Sequence, residues 1–135
     1  MPKIDDLNSF LQRSPFHQWL NCKITDFSIE TGAITILFLP RPELQRSPAT
    51  DAPHGGVLAA FVDIAAHAAL HAQTDRAMPT IDLRVDYLRP GQFPITACAT
   101  PQRVGKSIGT VDVQMKSADG QQCVLGRVVF LTRAS

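Results

Sequence analysis

The segment Pro53-His54-Gly55-Gly56 heads an alanine-rich apolar run, Val57 to Gln73. Two glycines there allow close backbone approach, and the first turn of a helix leaves N–H groups without intrahelical partners. Those donors, at the positive end of the helix dipole, can stabilise an oxyanion. The same dipeptide can also serve only a tight turn and close packing. Asp63 is the one acidic residue between Val57 and Leu70, flanked by Val62 and Ile64. A carboxylate in such surroundings either bonds a neighbouring strand or subunit, or acts as base or nucleophile in a dry cleft. Gly55 and Asp63 are eight residues apart, about 12 Å along a helix at ~1.5 Å per residue. One small carbonyl cannot touch both. If they cooperate, the helix N-terminus of one subunit meets Asp63 of another, with two antiparallel helices about a two-fold axis and two equivalent sites per dimer.

Other chemistry is weakly represented. His67 and His71 follow Asp63 at four-residue intervals on one helical stripe. No His-Glu-x-x-His pattern or second cluster supports a metal there, so core or interface histidines are expected and no metal site. His17 is isolated. Nucleophile-elbow, Walker and dinucleotide-binding glycine patterns are missing. The run Gly105-Lys106-Ser107-Ile108-Gly109 lacks the strand-to-helix setting of a phosphate loop and reads as the start of a strand, with Lys106 and backbone facing a ligand. Cys22, Cys98 and Cys123 have no metal-ligand or redox spacing, as in a reduced, cytoplasmic protein.

These groups need elements to carry them. Ile4 to Leu20 shows loosely helical apolar spacing, broken by Ser14-Pro15 into two short pieces, an N-terminal helical segment over 1–20. Two strands are expected at Cys22 to Glu30 and Ala33 to Leu39, turning at Thr31-Gly32 and closed by Pro40 and Pro42. Arg41 to Pro53 reads as a loop. The run Val57 to Gln73 is apolar on almost every side, which predicts a buried central helix. From Thr80 the period is two, with Ile81, Leu83, Val85 and Tyr87 alternating with Asp82, Arg84, Asp86 and Leu88. Three more strands are expected at Pro94 to Val104, Ile108 to Ser117 and Gln122 to Thr132, the last two joined at Ala118-Asp119-Gly120. A hairpin, one apolar helix and four strands on short turns imply an α+β domain, 1–135, whose curved antiparallel sheet wraps the helix.

Composition bounds the partners. The 135 residues carry 13 basic and 12 acidic side chains, and such near-neutrality argues against nucleic acid as a partner. Only Glu30 and Glu43 among the acids are glutamates, favouring strands over a charged helical bundle. The residues from Met1 to Phe10 lack a signal-peptide core, and the longest apolar stretch, Val57 to Leu70, reads as too short for a bilayer.

The stretches HGGVLAAFVDIAAHAAL, TIDLRVDYLRP and RVGKSIGTVDVQMKSADGQQ together resemble the hotdog-fold thioesterases of the phenylacetate-degradation type. The likeness runs from about His54 to the C-terminus. It implies an acyl-CoA thioesterase acting on a small or medium, or aromatic, acyl-CoA, with coenzyme A present only as part of the substrate and no cofactor. It also implies a homodimer, with dimers pairing into tetramers. By the resemblance, Gly55 is the oxyanion donor and His54 shapes its loop. Asp63 is nucleophile or base, and Thr80 helps position the attacking water. Gly56, Asp82, Tyr87 and Lys106, Ser107, Ile108 and Gly109 fall where relatives bind substrate, chiefly its coenzyme A. Arg89 and Arg103 are phosphate candidates. Relatives often carry Asn and Gly where this chain has Pro48 and Asp51, which puts one positioning donor in doubt. That departure keeps a non-hydrolytic acyl-CoA-binding hotdog protein as the alternative. A hotdog hydroxyacyl-thioester dehydratase fits His54-Gly55-Gly56 poorly. Acyl length is expected to depend on Phe61, Ala65, His67 and the loop from Arg41 to Ala52.

Overall fold

The computed structural model describes residues 3–74, 76 and 78–133. Met1 and Pro2, at the head of the expected N-terminal helical segment, lie outside the described residues. That segment forms α1 (Ile4–Leu11) and α2 (Pro15–Trp19), with Pro15 at the first helical position of α2. Proline suits that position, since its missing N–H is one the helix could not use. Strands β1 (Cys22–Phe27) and β2 (Ile34–Phe38) follow as an antiparallel hairpin. Gly32, at φ 75°, supplies the left-handed residue of its turn. Pro42–Leu44 makes one 3-10 turn inside the segment read as loop, and Gln45 bridges to Pro53.

The long helix α3 spans Gly55–Thr74, two residues earlier and one later than the apolar run suggested. At 20 residues it is long enough to cross a bilayer, so the length argument against that does not hold. Its place is instead set by packing: Leu58, Phe61, Val62, Ile64, Ala65, Ala66, Ala68, Ala69 and Leu70 are all buried. Strands β3 (Thr80–Tyr87), β4 (Ile95–Val104), β5 (Ile108–Lys116) and β6 (Gln122–Leu131) complete the sheet.

All six strands pair antiparallel, in the order β1-β2-β4-β5-β6-β3. The sheet and its single helix match the expected architecture. The order holds one surprise, because β3 pairs with β6 at the far edge rather than with its successor β4. The hairpin then occupies the place beside β4. Where the sheet closes most tightly on α3, Gly126 of β6 leaves the space. A Cβ there would stand 2.6 Å from Val62 Cγ1. The core between helix and sheet is built by residues such as Phe38, Phe61, Met115, Val128 and Phe130, all almost wholly buried.

The two sheet edges differ. Along β1, the Asn8 side chain of α1 donates to Ile24 O at 2.9 Å and accepts from Ile24 N at 2.8 Å. Gln12 donates to Cys22 O at 3.1 Å. Among the described residues no element pairs with the outer edge of β3, and Ile81, Leu83, Tyr87 and the following Leu88 are exposed.

Candidate active site

At the head of α3 the two glycines are used differently. The Gly56 N–H donates to His54 Nδ1 at 3.0 Å, while Val57 N and Leu58 N donate to His54 O. His54 thus caps the helix with both ring and carbonyl. With Nδ1 accepting, its proton sits on Nε2. The Gly55 N–H has no acceptor among the described residues. One free amide, at the positive end of a 20-residue helix, is left to bind a developing negative charge. Tyr87, at the end of β3, donates its hydroxyl to Gly55 O at 2.7 Å and ties this turn to the sheet edge. Tyr87 therefore reaches the helix head within its own chain.

Asp63 sits two turns further along α3, half-buried rather than sealed in a dry core. The Thr80 hydroxyl donates to its Oδ1 at 2.7 Å. Strict alternation along β3 would group Thr80 with Asp82 and Arg84, on the face away from the helix. A bulge between Thr80 and Asp82 changes this. Thr80 pairs with the buried Phe130, and Leu83 with the buried Val128, so both point toward α3. Asp82 pairs with Val129 and turns outward, apart from Asp63. Nothing in the amino-acid pattern announces the bulge, and it delivers the hydroxyl to the carboxylate.

The segment Lys106-Ser107-Ile108-Gly109 forms the tip of the β4–β5 hairpin. It is held by Thr132, whose N–H donates to Ser107 O at 2.8 Å and whose hydroxyl donates to Gly105 O at 2.6 Å. Gly109 pairs with Phe130, itself the partner of Thr80, so this tip lies at the Asp63 end of the sheet. Arg103, Val104 and residues 105–108 line an open groove of about 740 Å³, with two cations on its rim. Arg89 is engaged elsewhere, donating to Gln121.

Phe61 and Ala65 face the protomer's own core, where Phe61 stacks on Phe38 at 3.9 Å and meets Phe93 edge-on. They do not line an open face, contrary to the expectation that they set acyl length. The part-exposed stripe of α3 is Gly56, Ala59, Ala60, Asp63 and His67. His67 and His71 stack against Phe10 of α1. Among the described residues no group of three or more His, Cys, Asp or Glu side chains is arranged to hold a metal. Burial lowers the His67 pKa, with His71 and His17 adding to the effect and Asp63 opposing it. Burial also pushes the Cys22 thiol up to about 11 and raises that of Cys123. Thiols so held are poor nucleophiles near neutral pH.

Comparison with known proteins agrees with this fold. The sequence profile described as the thioesterase superfamily matches residues 53–124, from the helix cap through β5 into β6. A medium/long-chain acyl-CoA thioesterase, YigI of Salmonella typhimurium, is 29% identical over 126 residues, covering 82% of this chain and 80% of its own length. A solved protein from the thioesterase superfamily is 32% identical with a TM-score of 0.85, over 96% of this chain and 98% of that one. The Escherichia coli PaaI protein from the phenylacetic acid degradation operon shares the fold at 21% identity, with a TM-score of 0.79, over 94% of this chain and 89% of that one.

Proposed function

The chain belongs to the thioesterase superfamily, and on that premise we propose that this thioester hydrolase cleaves an acyl-CoA of medium chain length to the free acid and coenzyme A. The named substrates of the YigI relatives favour that length over an aromatic acyl group. One observation carries the mechanism: the Thr80 hydroxyl spends its proton on Asp63 Oδ1, leaving Oδ2 as a base. A water that donates to Oδ2 has the Thr80 oxygen beside it as a second acceptor. It loses its proton to Asp63 as its oxygen bonds the thioester carbon. The carbonyl oxygen takes up negative charge against the free Gly55 N–H, the C–S bond then breaks, and the leaving thiolate takes the proton held on Asp63 to depart as coenzyme A, restoring the carboxylate.

Gly55 and Asp63 of one chain are too far apart for this, so the donor comes from a second copy. The bare β3 edge supports that assembly. Strand β3 begins at the Asp63–Thr80 pair and ends at the Tyr87–Gly55 pair. Antiparallel pairing of two such edges about a two-fold axis sets the end of one strand beside the start of the other. Each dimer then holds two sites, each with a carboxylate from one chain and an amide from the other. Arg103 and Lys106 on the hairpin groove offer charge to the coenzyme A phosphates. The Pro48 departure leaves the carbonyl leaning more heavily on Gly55. Three free cysteines fit a reducing, cytoplasmic setting.

The test is Asp63→Asn. It should cut free-thiol release from decanoyl-CoA on the order of 10³-fold or more, with the dimer intact. Turnover retained in that variant would remove Asp63 from the mechanism.

A further inference from the structure

Resting on the reading of Asp63 and Thr80 as the reacting pair, we propose that His67 is the positioning residue that sets Thr80 against Asp63, acting through the backbone of Met78. His67 lies one turn beyond Asp63 on α3, between two aromatic rings. Phe10 of α1 stacks at 6.1 Å between centroids, and Phe130 of β6 stands tilted at 5.9 Å. The ring is therefore fixed from both sides. The Met78 N–H donates to His67 Nε2 at 3.4 Å, two residues before Thr80. Leu131 N–H donates to Pro79 O at 3.0 Å, so the short approach to β3 is tied to the helix on one side and to β6 on the other.

This anchoring has a reason. Thr80 pairs with Phe130 of β6, but the bulge after it separates it from the register of the rest of β3. An irregular residue is not held in depth by the strand that follows it, because a bulge breaks the ladder locally. Its backbone distance from α3 then depends on what precedes it, and Met78 is the nearest preceding residue bonded to the helix. His67 can fill that role only when neutral, with its proton on Nδ1 and Nε2 free to accept. Among the described residues, the charged and titratable groups facing it are Asp63 and His71 on its own helix and His17 of α2, while α1 and β6 offer Phe10 and Phe130. Burial acts most strongly and disfavours the imidazolium. Acidification below about 6.5 protonates this histidine in the unfolded chain first, so folding stability falls with pH in that range.

Two variants separate positioning from packing. His67→Phe keeps a ring between Phe10 and Phe130 but has no acceptor, and His67→Gln offers an amide oxygen at similar reach. Each is compared with the unaltered chain and with Asp63→Asn, using decanoyl-CoA and thermal melts to establish folding. His67→Phe should lower kcat on the order of tenfold with KM changed less than about twofold, and His67→Gln should recover most of the loss. Amide exchange at Met78 should quicken in His67→Phe and return toward normal in His67→Gln. If the ring is not accommodated, His67→Leu serves the same comparison. Unchanged kcat in a folded His67→Phe, or no recovery in His67→Gln, overturns the proposal. Asp63→Asn with full turnover sinks the reading of the reacting pair instead, and the Met78 exchange result still reports on the anchor.

Discussion

At one edge of the sheet, the Asn8 amide bonds both outward backbone groups of Ile24 and Gln12 takes the carbonyl of Cys22. These side chains do for β1 what another strand would do, and they do it from within the chain. At the other edge, β3 offers its backbone and Ile81, Leu83 and Tyr87 to whatever comes alongside. Exposed edges are sites of unwanted pairing, and proteins generally cover them. A fold that blocks one edge with two amides and leaves the other bare can extend its sheet only at β3. The bare edge is also the one whose ends carry the Asp63–Thr80 and Gly55–Tyr87 contacts.

The contrast can be broken most severely at β3. Replacing Asp82 and Asp86 together by Lys adds two cations to Arg84 on the outward face of β3 and puts like charges across the proposed two-fold pairing. The protein should sediment as a folded monomer and lose more than about a hundredfold in thiol release, because each half-site is left without its complement. A monomer with full turnover would detach the edge from the chemistry. Next in size is Asn8→Ala, which strips the cover from β1. Two hydrogen bonds to part-buried backbone groups are lost, and urea unfolding should show a cost of about 2 kcal/mol, with turnover of the folded fraction preserved. A loss of activity without a loss of stability would mean the two edges are not separate in function. The smallest effect sharpens the picture at the helix head. Tyr87→Phe removes the hydroxyl that bonds Gly55 O and should reduce kcat by roughly threefold to tenfold, leaving sedimentation unchanged.

Much of this arrangement was legible in the amino-acid order, and the parts that were not share a cause. Period-two alternation located all six strands, the all-round apolar run located α3, and Pro15 divided α1 from α2, because each is a local pattern with a local cause. The partnership of β3 with β6 is not local. It follows from closing the sheet around a helix, and no residue within β3 specifies it. The glycines and Asp63 were visible as unusual residues in an apolar run. The division of labour between Gly55 and Gly56 was not, because it depends on which way the His54 ring turns. Thr80 is a plain threonine at the start of an alternating strand, and only the bulge directs it inward. The pattern links Phe61 and Ala65 to acyl length, whereas both pack inward, because an all-apolar helix gives no hint of which side meets its own sheet.

The missing side chain at Gly126 reaches beyond packing. Val62, the neighbour of Asp63, rests against that vacancy with no slack. The helix therefore cannot sink deeper into the sheet, nor can it rise without opening a void beneath the carboxylate. The depth of Asp63 behaves as a fixed datum. Ala59 and Ala60, on the part-exposed stripe of the same helix, are positions that can change size without moving that carboxylate.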